Sequence, residues 1–346
     1  MDEKPDSRPT SPISGCADQS GGIHYGGQAV LEGVMMRGPD RVATAVRLPD
    51  GSIDVHATPF VSVAKRSRFF RWPVVRGGFT LIESLALGIK ALNYSASVAM
   101  EAAEPKQAND AGGEGAGGGP AGTESGPKTK AASEWKTTFA LTATMVVAFA
   151  LGIFVFFYIP LVIAGRLGIE SGFLFNLVDG VIRVVFFIVY IWAISLWKEM
   201  RRVFEYHGAE HKVIFTQEAG EALTPENAKR FGTRHPRCGT SFLLIVMVVS
   251  ILVFMLTGKP QNVGQRLARI LLVPVIAGVS YEIMKVSARQ AGRAWARIVS
   301  APGVWLQRIT TREPSDEQVE VAIAALSAVL SGKDDARQAP VDQSQV

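Results

Sequence analysis

Four long apolar segments, at about 138–164, 172–197, 241–257 and 267–284, set the first limit on what this 346-residue chain can become. About 20 apolar residues in a helix span the hydrocarbon core of a bilayer, and a helix pairs its own backbone polar groups where no water can. The third segment is a little short of that length. Pro160, near one segment end, and Pro274, inside the fourth, are tolerated in membrane helices. The predicted fold class is therefore mainly α, a multi-pass membrane protein of about four transmembrane helices. A small β-containing N-terminal segment and interfacial helices accompany them.

The loops orient the bundle. The connection 165–171 carries only Arg166 as a basic residue, and 258–265 only Lys259. Between the second and third segments, 198–240 holds Lys198, Arg201, Arg202, Lys212, Lys229, Arg230, Arg234 and Arg237. Basic residues also crowd the flanks, from Lys65 to Arg76 and from Lys285 to Arg312. The excess of Lys and Arg on cytoplasmic loops places both termini and 198–240 on the cytoplasmic side, as in a bacterial plasma membrane. The same bias accounts for the net charge of +5 without nucleic acid as a partner. The partner this composition demands is the lipid bilayer. No apolar run follows the polar residues after Met1, so no cleavable signal peptide is expected. Two cysteines, Cys16 and Cys238, make no disulfide framework; Cys238 reads as a free thiol or a ligand.

Composition divides the rest. Residues 1–22 are Ser- and Pro-rich and expected to be disordered. Residues 23–100 combine a β-rich segment with an interfacial or partly inserted helix. Two apolar/polar runs around Pro49-Asp50-Gly51 read as strands joined by a turn, with His56 an ordinary strand residue. The helix carries Glu83 and Lys90, too polar for a simple span. Residues 101–135 are a Gly-rich flexible linker, and 136–285 form the four-helix membrane domain with its loop 198–240. Residues 286–331 hold an Arg- and Trp-bearing interfacial helix, then an amphipathic helix capped by Ser315. Residues 332–346 read as a disordered tail.

The chemistry concentrates in "EYHGAEHKVIF", residues 205–215, which uses two of the five histidines. As a helix, 198–215 is amphipathic, with Met200, Val203, Phe204, His207, His211 and Ile214 recurring at three- and four-residue steps. His207 and His211 project from one side one turn apart, the spacing at which two imidazoles ligate one metal, and Glu210 lies beside them. H-x-x-E-H is also the order in which two histidines bind zinc and a glutamate acts as base in the inverzincins. His235 and Cys238, in "HPRC", and Glu282, near the cytoplasmic end of the fourth segment, are further candidate ligands on the same membrane face. A straight continuation of the second span carries His207 roughly 15 Å past Trp197, so the helix must turn along the membrane surface.

Spacing leaves the outcome open. His207, His211, His235 and Cys238 together could saturate a structural zinc. Two histidines with one of His235, Cys238 or Glu282 would leave a position for water, with Glu210 as base. Cys238 as a nucleophile activated by His235 is a third arrangement, constrained by Pro236 and Arg237. In the membrane, Asp179 and Arg183 at i and i+4 read as a mutually neutralising pair. "HYGGQAVLEGVMMRGPD" is too Gly-rich and charged for an ordinary strand and matches no phosphate-binding fingerprint. Its Glu32 and Arg37 could reach an active site or pair with each other.

Taken as a set, "GGQAVLEGVMMRGP", "RGGFTLIESLALGIKALNYSA", "EYHGAEHKVI", "HPRCGTSFL", "AGVSYEIMK" and "EPSDEQVEVAIAALSAVL" resemble the YqhQ-like family, membrane proteins described as predicted metal-dependent enzymes. The resemblance covers most of the chain outside the linker and tails. It implies that His207, Glu210, His211, His235, Cys238 and Glu282, with Gln28, Glu32 and Arg37, sit at signature positions. The Gly-rich insertion at 101–133 is the main departure. The expectation is a divalent metal, zinc, at the cytoplasmic membrane face, in a hydrolase acting on a lipid-linked or membrane-associated substrate. The alternative is a non-catalytic scaffold or assembly factor with a structural metal.

Overall fold

The computed structural model describes residues 25–62, 72–103, 143–290 and 292–338. Three expectations fall wholly or largely outside them: the disordered start at 1–22, most of the 101–135 linker and the end of the 332–346 tail.

The element order is β1 (Gly26–Val30), β2 (Gly33–Arg37), β3 (Arg41–Arg47), β4 (Ile53–Pro59), α1 (Pro73–Ala103), α2 (Ala143–Arg166) and α3 (Gly172–Ile194). It continues with α4 (Lys198–Glu218), the short α5 (Pro225–Lys229), α6 (Gly239–Thr257), α7 (Val263–Arg289), α8 (Ala294–Thr310) and α9 (Asp316–Gln338). Four helical stretches are long and apolar enough to cross a membrane: Ala143–Arg166, Gly172–Ile194, Gly239–Thr257 and Leu267–Arg289. No more than 22% of any of their apolar windows is buried within the protein. Surfaces this apolar need another apolar medium, and lipid supplies it.

A polar knot ties one end of the bundle. Inside α2 the turn Phe154–Tyr158 is π-helical, which frees backbone carbonyls. Arg183 of α3 donates to two of them, Phe156 (3.2 Å) and Phe157 (3.3 Å), while pairing with Asp179 at 2.9 Å. The neutralising pair read from the sequence thus also locks α2 onto α3.

The strands form one antiparallel sheet in the order β1-β2-β3-β4. The stretch whose composition is too Gly-rich for an ordinary strand supplies both β1 and β2. Its glycines are spacers: a Cβ on Gly33 would lie 2.2 Å from the Ala45 carbonyl oxygen. One face of the sheet, with Val34, Met36, Ala43 and Ala45, packs on α4 and α9 through Tyr206, Val213, Val321 and Leu326. The other, with Val30, Met35 and Val42, meets Leu87 and Ala91 of α1. Ser315 caps α9 as expected. Its hydroxyl accepts the Gln318 N–H, and the Gln318 amide oxygen accepts the Ser315 N–H.

α1 joins this cap to the membrane. A Cβ on Gly77 would lie 2.8 Å from Gly278 Cα, and one on Gly278 would lie 2.2 Å from the Val74 carbonyl oxygen, so α1 and α7 touch backbone to backbone. Between α3 and α4 the chain breaks at Ser195–Trp197, and Trp197 is extended (φ −75°, ψ 138°). The turn that the histidine helix needed is there.

Candidate metal centre

α4 presents His207, Glu210 and His211 from consecutive turns, and the chain entering α6 brings Cys238 to them. Among the described residues His207, His211 and Cys238 form a group whose ligand atoms all lie within 4.8 Å of one another. In a tetrahedral zinc set such atoms are roughly 3.3–3.6 Å apart, so only a small contraction separates this group from a ligated one.

Each imidazole is held by a backbone carbonyl. His207 Nδ1 lies 2.7 Å from the Thr310 oxygen, and His211 Nδ1 lies 2.5 Å from the Thr233 oxygen. Each Nδ1 is thereby fixed as a donor, which leaves Nε2 turned toward the thiol, as in metal sites whose histidines donate outward through the other nitrogen. His207 Nε2 is 3.1 Å from Cys238 Sγ. His211 Nε2 is buried and has no hydrogen-bond partner. An orphaned buried nitrogen of this kind is costly unless something outside the protein's own hydrogen bonds completes it.

Cys238 caps α6, accepting the Thr240 N–H at its sulfur (3.4 Å). Burial pushes its thiol up, but the adjacent His207 and His211 outweigh that and hold the pKa well below its usual 9.0. The converse applies to His207: burial disfavours its cation, yet the Cys238 sulfur raises the pKa to about 9. Without a metal the two form an imidazolium–thiolate pair; a divalent cation can replace the shared proton.

Glu210 is buried beside this group, and burial raises its pKa against the pull of the two histidines. Gly27 lies directly against its side chain, and the Gly27 amide favours the ionised carboxylate. A Cβ on Gly27 would come within 2.9 Å of the Glu210 side chain, so the glycine of edge strand β1 is what admits the carboxylate.

The other predicted residues are placed elsewhere. His235 lies with its ring 5.7 Å from that of His211, but both of its nitrogens are engaged elsewhere. Its Nδ1 accepts the Arg237 N–H (3.2 Å), its Nε2 faces Glu218 (3.4 Å), and its ring packs on Phe215 at 4.4 Å. Both carboxylate oxygens of Glu282 accept from one edge of the Arg76 guanidinium, its Nε and Nη2, with the nearest contact at 2.7 Å. Glu32 and Arg37 do not pair with each other. Glu32, left-handed at φ 50°, is ion-paired with Arg202 and accepts from Tyr206 (3.3 Å). Arg37 meets Glu83 at 3.2 Å. Gln28 lies against Gly88 of α1.

Several supports carry little sequence signal. Thr233 and Thr310 act through main-chain carbonyls, which any residue type supplies. Buried Gln307 clamps the His235 backbone from both sides, accepting its N–H (2.7 Å) and donating to its C=O (2.8 Å). Gly208 could have been found, because a glycine in mid-helix costs about 1 kcal/mol relative to alanine and asks for a reason. A Cβ there would sit 2.0 Å from the Arg312 carbonyl oxygen.

A membrane protein with four helices long and apolar enough to span, a sheet-and-helix cap, and two imidazoles and one thiol gathered where the cap meets the bundle, is the class this architecture defines. The chain belongs to the family described as "Protein of unknown function (DUF1385)", which matches residues 72–332. It is also similar to "Uncharacterized protein YqhQ" of Bacillus subtilis (strain 168), with 33% identity over 318 residues, 88% of this chain and 92% of that protein. The YqhQ-like resemblance of the motifs is thereby borne out. No solved structure matches the chain.

Proposed function

We propose that this protein is a membrane-embedded zinc hydrolase whose metal is held by His207, His211 and Cys238 and whose general base is Glu210. The observation that carries this reading is the His211 Nε2 atom, buried and unpartnered while Nδ1 is fixed by the Thr233 carbonyl. Two neutral nitrogens and a thiolate are a donor set suited to zinc. Bound there, the metal would keep one tetrahedral position for substrate or water and lower the pKa of what occupies it. Glu210, desolvated and next to the ligands, is suited to accept a proton near neutral pH. His235 and Glu282 have other partners and are left out of the ligand set.

The loop charge bias supports a position for this centre on the cytoplasmic face of a bacterial plasma membrane, with both termini on that side. Its substrate would then be lipid-linked or membrane-associated. The scaffold reading is supported by one observation, the packing of the Glu210 side chain against Gly27, by which Glu210 also covers the free edge of β1. Glu210→Gln separates the two, because the isosteric amide still packs against Gly27 but no longer takes a proton at neutral pH. Detergent-purified protein should contain about one zinc per chain, lost in His211→Ala and retained in Glu210→Gln. Loss of cellular function in Glu210→Gln with zinc retained supports hydrolysis, whereas full function leaves the scaffold. A wild-type preparation free of metal by elemental analysis removes the zinc centre.

A further inference from the structure

Between β1 and α1 lies a cavity of about 130 Å³ lined by Gly26, Gly27, Gln28, Met35, Arg37, Ser84 and Leu87. Gly27 is its common wall with Glu210, whose side chain packs against Gly27. The polar groups here are mostly donors. Arg37 uses one N–H on Ser84 Oγ (3.3 Å) and one on Glu83 (3.2 Å), out of the five a guanidinium has. Stacking on Phe60 at 4.4 Å and the Glu83 pair, which Ser62 also joins at 2.9 Å, hold the guanidinium in place. Gly88 makes room for the Gln28 amide, since a Cβ there would meet Gln28 Oε1 at 2.3 Å. A fixed guanidinium, an amide and a hydroxyl around a small cavity match the oxygens of a phosphate.

The helix wall continues into an apolar surface. On α1, Leu81, Leu85 and Leu92 follow round from Ser84 and Gly88 at helical spacing and are exposed, as are Ile82 and Ile89. Gly77, one turn before Leu81, touches Gly278 within the fourth span, so this stripe begins at a membrane helix. We infer that the cavity between β1 and α1 is a head-group pocket for a phosphate-bearing lipid, with Arg37, Gln28 and Ser84 on the phosphate and the acyl chains along the leucine stripe of α1. The inference deepens the hydrolase reading by naming the substrate class, and depends on that reading only for the chemistry after binding.

The test is binding of dioctanoyl phosphatidic acid to the full chain in detergent, against dioctanoylglycerol and inorganic phosphate, with zinc content measured in the same samples. Phosphatidic acid should bind, dioctanoylglycerol should not saturate, and inorganic phosphate should compete only weakly. Arg37→Gln should weaken binding by about tenfold or more, while Glu83→Gln, which frees the guanidinium, should preserve or tighten it. Ser84→Leu fills the cavity from α1 without removing the Arg37–Glu83 pair and should also abolish binding, which covers the case in which Arg37→Gln misfolds. Equal binding of both lipids, inorganic phosphate binding as tightly as the lipid, equal losses in Arg37→Gln and Glu83→Gln, or unchanged binding in Ser84→Leu each overturns the pocket. A metal-free sample that still discriminates the phosphate lipid sinks the zinc reading alone.

Discussion

Gly208→Ala tests how the histidines are held. On an unencumbered helix this change should stabilise by about 1 kcal/mol, because alanine is the better helix former. Here the added Cβ would lie 2.0 Å from the Arg312 carbonyl oxygen, where such atoms do not approach within 3.0 Å, so the strap after α8 must retreat by about 1 Å (3.0 − 2.0). That strap makes two short bonds to α4: Arg312 N–H to the Phe204 carbonyl at 2.9 Å, and the Thr310 carbonyl to His207 Nδ1 at 2.7 Å. Lengthened by an ångström, neither is a hydrogen bond. Two lost bonds at about 1 kcal/mol each, plus the cost of a buried carbonyl left unpaired, outweigh the helix gain. The net expectation is a destabilisation of roughly 1–3 kcal/mol. Zinc affinity should fall about 10- to 100-fold, the usual effect of removing the group that orients a ligand histidine. Thermal unfolding in detergent and zinc competition against a chelator read the two effects separately. Gly165→Ala, at an exposed helical glycine with no atom within 4 Å of the new Cβ, is the control and should be neutral or stabilising. If Gly208→Ala unfolds no earlier than wild type and holds zinc as tightly, the strap does not position His207.

The remaining predictions bear on the residues around the centre. His235→Gln should retain zinc, since its ring is engaged by Glu218, Arg237 and Phe215, whereas Cys238→Ser should lose it; elemental analysis of the two decides. His235 also sets an acid limit. Burial lowers its folded pKa below the ordinary 6.5, so the unfolded chain binds the extra proton first, and stability should decline as pH falls from about 6.5. Glu218, held below its ordinary 4.5 because the His235 and Arg237 partners outweigh burial, adds a second loss below that pH. His235→Gln should remove the first decline in a pH series of thermal unfolding and shrink the second, since Glu218 then keeps only Arg237 as a cationic partner. Glu282→Gln should keep zinc but loosen the α1–α7 crossing by unpairing Arg76, which limited proteolysis near Trp72 would register.

How much of this centre is legible in the sequence depends on the range of the forces involved. The two histidines and Glu210 are readable because a helix converts spacing into direction, and the spans because lipid demands length and apolarity. The choice between His235 and Cys238 is not readable. They are three residues apart in an irregular stretch, where no period says which side chain points inward. It is decided by long-range contacts: Glu218 and Arg237 draw the imidazole away, Gln307 of α8 fixes its backbone, and the cap of α6 leaves the sulfur facing α4. Glu282 misleads for a related reason. A carboxylate at the end of a span signals function by default, and its partner Arg76 is 206 residues away in sequence, on a helix read from the sequence only as interfacial or partly inserted. The glycines of β1 and β2 suggest irregular backbone because composition reports a missing side chain but not what fills its place. Each of the informative glycines in the chain is occupied from a distance: Gly27 by Glu210, Gly33 by the β3 backbone, Gly88 by Gln28 and Gly208 by the Arg312 carbonyl. In a cap this thin, bound on one side by lipid, close backbone approach substitutes for core volume. The geometry of the candidate ligands is therefore set as much by absent side chains as by the histidines themselves.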